Sequence, residues 1–308
     1  MAQRLQWDRD GADWPHRGFS RFVEAGGLRW HVQQVPESPA MRPRCLLIHG
    51  TGASTHSWRD LVPLLVRHFD LLAMDLPGHA FTSLPADGIG STQLSLPGMA
   101  RALAQLLALE GFAPDLVVGH SAGAAIGAQM VLDRAIAPRL LVSLNGALLP
   151  LGGLAGRVFS PAARLMALMP GVSSLFAWRA ADPQVLQRLL DSTGSRIDER
   201  GRELYARLAA NPGHVEGALG MMANWDLPAF AQALPQLSVP LSLMVGALDA
   251  TVPPTEADRV QALLAGRVPV EKVVFEGLGH LAHEERPEAV ADAILSAWAR
   301  CAPATPHG

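Results

Sequence analysis

The sharpest chemical signal in the sequence is a serine set between two glycines, in the run Gly119-His120-Ser121-Ala122-Gly123. An apolar segment, 116–118, comes directly before it, and an alanine-rich segment, 122–135, follows. A serine on such a strand-to-helix turn adopts strained backbone angles, so its neighbours must be small. Its hydroxyl stands at a helix N-terminus, where partial positive charge favours a developing anion. The context predicts that Ser121 is a nucleophile and disfavours a chance glycine turn.

A second glycine-rich run, His49-Gly50-Thr51-Gly52, follows the apolar segment 45–48. A loop of this kind at the end of a buried strand can direct backbone N–H groups toward a reacting carbonyl oxygen. An oxyanion hole needs two such donors, one from this loop and one from the residue after the nucleophile. We therefore predict that the amides of Thr51 and Ala122 form the oxyanion hole. An ordinary strand-end turn is the alternative.

The partners predicted for Ser121 are Asp249 and His280, which complete a catalytic triad in the chain order serine, aspartate, histidine. Asp249 follows the apolar segment 241–245, and His280 lies in a glycine-rich loop after the segment 272–275. Acids and bases at the carboxyl ends of parallel strands share one edge of the sheet. In this prediction His280 accepts the serine proton and Asp249 orients the imidazole.

Other interpretations of these residues stay open at this stage. His283 could act as the base instead of His280, and Asp249 could be a turn or helix-capping residue. His280, His283 and Glu284 could bind a metal, although their spacing matches no zinc-site pattern. We predict neither a metal nor a cofactor.

The elements that must position these residues alternate along the chain. The pattern predicts a hairpin (20–24 and 28–35), strands at 45–48, 71–74, 116–118, 140–144, 241–245 and 272–275, and helices at 58–67, 99–109, 122–135, 255–264 and 287–300. Such alternation predicts a mostly parallel central sheet flanked by helices. Together with the Gly-x-Ser-x-Gly turn at Ser121, it predicts an α/β-hydrolase fold. The Asp75-x-x-Gly78-His79 turn, common in this fold, is expected to be structural, although Ala80 replaces its last glycine.

The regular alternation is interrupted by about 90 residues without a clear strand. A structureless loop of that length is implausible, so we predict a helical lid over residues 148–237, between core segments 1–147 and 238–308. The lid is rich in methionine and aromatic residues, which suit a bulky apolar substrate. The candidate substrate-binding residues are Phe159, Met166, Met169, Phe176, Trp178, Met222 and Trp225. The alternative is that they form the lid's own core, and His214 is either a ligand to a substrate's metal or a packed histidine.

Composition limits the class of protein. The 308 residues carry a formal net charge of -3, and no run of basic residues is visible, so a nucleic-acid partner is not expected. The two cysteines, Cys45 and Cys301, do not indicate a disulfide framework. The N-terminus lacks the apolar region of a secretory signal, and no segment predicts a membrane span. A cytoplasmic location is expected, with peripheral contact with a membrane left open.

Several stretches outside the nucleophile elbow, the strand-to-helix turn Gly119–Gly123 that carries Ser121, resemble one family, BchO, the magnesium chelatase accessory protein of bacteriochlorophyll biosynthesis. They are Asp10-Gly-Ala-Asp-Trp-Pro15, Gly27-Leu-Arg-Trp-His-Val32, His49-Gly-Thr-Gly-Ala-Ser-Thr-His-Ser-Trp58, Ser143-Leu-Asn-Gly-Ala-Leu-Leu-Pro150 and Gly277-Leu-Gly-His-Leu-Ala-His-Glu-Glu285. Many relatives carry aspartate where Asn145 stands, and an asparagine there cannot serve as the triad acid, which supports Asp249. The resemblance implies a role near magnesium insertion, with magnesium chelatase subunits as partners and a tetrapyrrole as substrate.

Two hypotheses about function follow. The first is a serine hydrolase, of the esterase class, that acts on an ester or acyl group of a hydrophobic substrate. The second is a non-catalytic porphyrin-binding or chelatase accessory protein that keeps the fold. A non-hydrolytic use of the same triad, for example in a lyase, is also compatible with the sequence.

Overall fold

The computed structural model describes residues 3–35, 42–150, 169 and 171–301. Within these ranges the chain forms one eight-stranded sheet in the order β1-β2-β4-β3-β5-β6-β7-β8. The strands are β1 (Ser20–Ala25), β2 (Leu28–Gln34), β3 (Arg44–Ile48), β4 (Asp70–Met74), β5 (Leu116–His120), β6 (Leu140–Leu144), β7 (Leu241–Gly246) and β8 (Val270–Phe275).

The sheet is antiparallel only at one end, where β2 pairs with β1 and with β4. The other neighbouring pairs are parallel, from β4 through β8. In this register Ile48 of β3 lies opposite Gly119 of β5, and Leu144 of β6 lies opposite Met244 of β7. The loops that follow β3, β5, β6, β7 and β8 therefore emerge at one edge of the sheet, as the sequence predicts for the site.

Helices cover both faces of the sheet. Their bounds are α1 (Trp7–Asp10), α2 (Val62–Leu65), α3 (Leu96–Leu109), α4 (Ala122–Leu132), α5 (Val172–Ala180), α6 (Pro183–Asp191), α7 (Glu199–Ala209), α8 (Pro212–Asn224), α9 (Leu227–Ala233), α10 (Pro254–Leu264), α11 (Ala282–Glu285) and α12 (Pro287–Cys301). Between β6 and β7 the described residues contain helices α5 to α9 and no strand. The division of the chain at residues 148 and 237 stays a prediction.

The core has two layers because successive strand residues point to opposite faces. Leu46 and Ile48 of β3 pack with α3 and α4, whereas Cys45 and Leu47 pack on the other face with α12. Both faces of the central strands are buried, which explains why their sequences are continuous apolar runs. Among the described residues, no helix is long and apolar enough to cross a membrane.

Several predicted element bounds were wrong for local reasons. Instead of one helix over 58–67, the chain forms a 3-10 turn, Thr55–Trp58, and the four-residue α2. A proline at the start of α2 explains the break, because proline lacks the N–H that would extend a preceding helix. Helix α4 ends before residue 135, since Arg134 has a left-handed φ of 56°. Helix α3 begins earlier than predicted, where the Ser95 hydroxyl accepts the Gly98 N–H at 3.2 Å.

Candidate active site

Ser121 stands on the turn between β5 and α4, with φ 51° and ψ −116°. Its backbone is held from the side of β6, because the Ser121 N–H donates to the Leu144 carbonyl at 3.0 Å. The Ser121 carbonyl in turn accepts the Ala147 N–H at 3.1 Å. These bonds fix a left-handed conformation that a serine rarely adopts, which is the strained elbow predicted from the sequence.

The glycines around Ser121 are required by close packing of backbone on backbone. A Cβ added at Gly119 would lie 2.4 Å from the Ala124 nitrogen. A Cβ at Gly123 would lie 2.0 Å from the Ile48 carbonyl oxygen of β3. Since carbon atoms do not approach so closely, any larger residue would push α4 away from β3 and move the serine.

Asp249 and His280 form a direct pair. The His280 Nδ1 lies 2.8 Å from the Asp249 Oδ2, and both side chains are buried. The other carboxylate oxygen of Asp249 accepts the backbone N–H groups of Thr251 and Val252, each at 2.8 Å. The carboxylate is thus surrounded by donors and holds the Nδ1–H tautomer of His280. This tautomer leaves the His280 Nε2 as the nitrogen that can accept a proton.

Asn145 is the residue at this site that sequence reasoning missed as a contributor. Its side-chain nitrogen Nδ2 donates to the Asp249 Oδ2 at 2.7 Å, the same oxygen that accepts His280. Asn145 is fully buried and has a left-handed φ of 48°. The sequence signal that could have indicated this role is the presence of a polar residue directly after β6, at the carboxyl edge of the sheet. At the level of the sequence, Asn145 only excludes an acid at this position. In the structure its side chain also holds the Asp249 carboxylate in place.

The loop of His280 is bonded to the turn of Ser121 and to the predicted lid. The His120 Nε2, one residue before the nucleophile, donates to the His280 carbonyl at 2.9 Å. From the lid, the Thr193 carbonyl accepts the His280 N–H at 3.2 Å, and the Ser195 hydroxyl accepts the Leu281 N–H at 2.8 Å. Within the described residues no hydrogen bond joins the Ser121 hydroxyl to the His280 ring. The structure thus contains a hydrogen-bonded Asp249–His280 pair, and Ser121 lies next to the loop that carries His280.

His283 occupies a different environment from His280. It is fully buried, with its ring 4.8 Å from that of Trp58 and 4.5 Å from that of His120. Burial lowers the pKa of His283 to about 3, aided by the nearby Arg59 charge. Asp249 pairs with His280 and not with His283. The part of the chain that the structure describes holds no cluster of three or more potential metal ligands, so nothing there places a metal on His280, His283 and Glu284.

The loop predicted to supply an oxyanion donor packs closely against the nucleophile. A Cβ added at Gly50 would lie 2.9 Å from the Ser121 Cβ. The Gly50 carbonyl, which shares a peptide plane with the Thr51 N–H, accepts the His49 Nδ1–H at 2.7 Å. The His49 Nε2 accepts the Leu76 N–H at 2.9 Å. These bonds fix the direction of the Gly50 carbonyl. The Thr51 N–H, in the same peptide plane, points in the opposite direction to that carbonyl.

The second predicted donor is the Ala122 N–H, at the first position of α4. Amides in the first turn of a helix have no partner within the helix. In the described parts of the chain neither this amide nor that of Thr51 donates a hydrogen bond. Both donors are therefore available next to Ser121, and their role as an oxyanion hole stays a prediction.

Asp75, expected to be structural, joins three segments. Its Oδ1 accepts the Thr55 N–H at 2.8 Å, and its Oδ2 lies 2.7 Å from the His31 Nδ1 and 3.2 Å from the Phe81 nitrogen. Burial would raise the pKa of Asp75, but the charge and hydrogen bond of His31 outweigh burial and hold it well below its usual range. These contacts fix the loops that follow β3 and β4.

The lid residues predicted to bind substrate fall into three groups. Met169, Phe176 and Trp178 are exposed, by 56%, 47% and 69%, so they present apolar surface to solvent. Met222 is half-buried, whereas Trp225 is buried in the apolar core with Leu227. Phe159 and Met166 lie outside the described residues.

Comparison with known proteins decides the family. A family model described as "Alpha/beta hydrolase family" matches residues 45–293. The magnesium-chelatase 30 kDa subunit of Rhodobacter capsulatus is 37% identical over 284 residues, which cover 92% of this chain and 96% of that protein. The chain belongs to the α/β-hydrolase family and, within it, to the BchO family. The resemblance predicted from the sequence is confirmed.

More distant relatives of this BchO-family chain carry hydrolase names. A putative carbamate hydrolase, RutD, of Enterobacter cloacae is 27% identical and covers 83% of this chain and 91% of its own length. Among solved structures, a putative lipase of Acinetobacter baumannii superposes with a TM-score of 0.75 at 17% identity, over 98% of this chain and 99% of that one. An esterase of Exiguobacterium antarcticum gives a TM-score of 0.70 at 18% identity, over 90% and 98%. At such low identity the structures show the shared fold, which confirms the predicted fold class.

Proposed function

We propose that this protein is a serine hydrolase that cleaves an ester or related acyl bond in a hydrophobic substrate. The observation that carries the proposal is the buried 2.8 Å contact between His280 Nδ1 and Asp249 Oδ2, in a loop bonded to the elbow that presents Ser121. The chain order of the three residues and their positions at strand ends support it further.

In the proposed reaction the Ser121 Oγ attacks the acyl carbon, and its proton passes to the His280 Nε2. Asp249 stabilises the imidazolium that forms, and Asn145 keeps the carboxylate in place. The negative charge that develops on the carbonyl oxygen is received by the amides of Thr51 and Ala122. Each donor of this kind contributes about 100- to 1000-fold in rate in serine hydrolases.

The second half of the reaction reverses the proton transfers. The imidazolium of His280 protonates the departing alcohol, and the acyl group stays on Ser121. Water then attacks the acyl-enzyme while the His280 Nε2 accepts its proton. The imidazolium passes that proton to the Ser121 Oγ as the bond from this oxygen to the acyl carbon breaks, which releases the acid and restores the free serine. All of these steps use groups of this chain and water alone.

We further propose that the reaction belongs to bacteriochlorophyll biosynthesis, near the magnesium chelatase step. Membership of the BchO family and the name of the 37% identical relative support that pathway. Tetrapyrroles of this pathway are bulky and apolar, which fits the methionine- and aromatic-rich lid. Magnesium chelatase subunits are the partners that we propose, and the cytoplasm, with peripheral contact with a membrane, is the proposed location.

One observation favours a second candidate function, a porphyrin carrier that assists the chelatase without catalysis. Phe176 and Trp178 expose large rings on α5, and Leu175 beside them is 56% exposed. Exposed apolar patches of this kind often bind ligands or partners. Such binding would not need the Ser121 hydroxyl.

A fluorophosphonate probe tests the hydrolase proposal. The Ser121 Oγ should bond to phosphorus as the P–F bond breaks, with fluoride released and the serine proton passed to His280. We expect stoichiometric labelling of the wild-type protein and none of Ser121→Ala, measured by intact-protein mass spectrometry. Equal labelling of the two proteins, or no labelling of either, would contradict the proposal.

Complementation of a deletion strain separates the two candidates. A Ser121→Ala gene should fail to restore pigment synthesis if the protein is a hydrolase, and should restore it if the protein is a carrier. Titration with protoporphyrin IX is the matching binding test. A carrier should shift the pigment's absorbance equally in wild-type and Ser121→Ala protein.

A further inference from the structure

Helix α8 of the lid meets the loops of the candidate site along one face. His214, Gly217 and Met221 are three and four positions apart, so they lie on the same side of the helix. That side contacts the loop containing residues 49–52 and the turn containing residues 75–80. The lid therefore contacts the loop that is predicted to supply the Thr51 donor.

His214 makes two hydrogen bonds across this contact. The Ala80 N–H, which can only donate, lies 2.9 Å from the Nδ1 of His214, so Nδ1 is the accepting nitrogen. The proton must then be on Nε2, which donates to the Gly52 carbonyl at 3.1 Å. His214 is 2% exposed, and burial lowers its pKa to about 4, so this neutral tautomer persists at neutral pH.

Two more contacts fix the position of α8 relative to these loops. A Cβ added at Gly217 would lie 2.1 Å from the Gly78 carbonyl oxygen, so the helix backbone rests directly on the turn. One turn further along, the Met221 sulfur accepts the Thr51 hydroxyl at 3.4 Å. The helix thus touches the predicted oxyanion loop at Thr51 and at Gly52.

We propose that His214 is a positioning residue for the oxyanion hole: through the Gly52 carbonyl it anchors the loop one residue downstream of Thr51, and so keeps the Thr51 N–H in place. Gly52 has a φ of 74° and no side chain of its own to anchor it, so the loop needs an external partner at this position. His49 holds the loop upstream of Thr51 at Gly50, and His214 holds it downstream. This inference rests on the proposed hydrolase function.

Two substitutions separate the two bonds of His214. In His214→Asn the side-chain oxygen can take the place of Nδ1 and accept the Ala80 N–H, but the donor to Gly52 is lost. In His214→Gln the amide nitrogen can reach the place of Nε2 and keep the donor to Gly52. Fluorophosphonate labelling kinetics would be measured over a range of probe concentrations, to obtain the affinity constant KI and the bond-forming constant kinact separately.

We expect kinact of His214→Asn to fall by about tenfold or more with KI unchanged, because a misplaced donor weakens the transition state alone. The kinact of His214→Gln should stay within about threefold of the wild-type value, since its amide nitrogen still donates to the Gly52 carbonyl and keeps the loop in place. Val215→Ala, the neighbouring half-buried position of the same helix, is the control and should label as wild type does. If His214→Asn and His214→Gln label at the wild-type rate, or if both lose labelling equally, the proposal is overturned.

Gly217→Ala provides a second variant in case His214→Asn does not fold. The added methyl group must displace α8 from Gly78 and move the unchanged His214 ring away from the Gly52 carbonyl, so kinact should again fall with KI unchanged. A folded Gly217→Ala protein that labels at the wild-type rate would count against the proposal. Failure of the wild-type protein to label would instead contradict the hydrolase function itself, so the two failures are distinguishable.

Discussion

The described part of the segment between β6 and β7, which we predict to be a lid, contains two regions that differ in how they meet the core. The outer helices, α5 and α6 (172–191), make side-chain hydrogen bonds that are local in the described residues, such as Gln187 to Asp191 at 2.7 Å. The anchored segment, residues 193–225, bonds to the core through Thr193, Tyr205 and His214. The difference teaches that this lid is not a single hinged cover. One part belongs to the site and the other presents apolar surface.

Burial follows a similar division, except that α6 buries Leu186 and Leu190. In α5 only Ala177 is buried, whereas α7 buries Leu204, Tyr205 and Leu208, the first and last of them completely. Exposed side chains contribute little to the free energy of unfolding, while fully buried ones contribute several kcal/mol each. Substitutions should therefore destabilise the protein at the buried positions of the anchored segment and leave it nearly unchanged at the exposed positions of the outer helices.

The largest expected effect comes from Arg59→Ala. Arg59 bonds to Glu284 at 2.5 Å and to Asp198 of the anchored segment at 2.7 Å, and Tyr205 donates to the same Glu284. Removing the guanidinium leaves a buried carboxylate unpaired, which costs about 3–5 kcal/mol. Urea unfolding at pH 8 would measure this loss, because there Glu284 is ionised, above its burial-raised pKa of about 7.

Arg188→Ala is the matched control in the outer helices, where, among the described residues, the arginine side chain donates only to the Gln184 carbonyl. It should change the free energy of unfolding by less than about 0.5 kcal/mol. Similar losses for the two variants would show that the two regions are not energetically distinct.

A pair of leucines makes the same comparison with apolar packing. Leu208 is fully buried in α7, whereas Leu189 of α6 is 57% exposed. Leu208→Ala should cost about 3 kcal/mol, from lost burial and the cavity left behind. Leu189→Ala should stay within about 0.5 kcal/mol in the same urea experiment. A loss of more than about 2 kcal/mol for Leu189→Ala would mean that the outer helices are covered in solution.

Acid should weaken the anchored contacts. Burial lowers the pKa of His214 to about 4 and that of His283 to about 3, from 6.5 in the unfolded chain. Because both folded-state pKa values are depressed, their stabilising contribution is complete above pH 6.5 and declines as the pH falls toward 4 and 3. Each histidine should lower the free energy of unfolding by about 1 kcal/mol per pH unit in that window.

The measurement is urea unfolding at pH 7.5, 6.5 and 5.5. Glu284 acts in the opposite direction, since its raised pKa means that its contribution is lost as the pH rises through 7. The histidines outnumber it, because burial also lowers the pKa of His49, His56, His79 and His120, so a net loss in acid is expected. His283→Phe should flatten the pH dependence by about one proton, and an unchanged slope would refute the assignment.

The smallest effect on stability is expected from Trp178→Ser. With 69% of its surface exposed, Trp178 should contribute less than about 0.5 kcal/mol to the free energy of unfolding. Its probe-labelling rate should equal that of the wild type. If the outer helices dock a porphyrin, the affinity measured by absorbance titration should fall, whereas an unchanged affinity would remove these helices from consideration as a docking surface.

The sequence allowed prediction of features that depend on local pattern. Ser121, Asp249 and His280 each follow an apolar strand, so their shared edge could be inferred from the order of elements alone. The contributions of Asn145, Thr193 and His214 could not, because their partners lie more than 50 residues away in the chain. Spacing carries no information about such approaches. The predicted helix over 58–67 is wrong for a simpler reason, because the proline at the start of α2 interrupts it.

The Thr193 carbonyl, which accepts both the His280 N–H at 3.2 Å and the Ala250 N–H at 3.4 Å, has a consequence for how this lid can be exchanged. It joins the loop after Asp249 to the loop of His280, so the lid supplies part of the scaffold that spaces acid from base. A graft that replaced the whole insertion with that of another hydrolase would take this brace away. Domain exchange, by evolution or in the laboratory, should therefore tolerate junctions that transfer α5 and α6 alone and fail where the junction excludes Thr193.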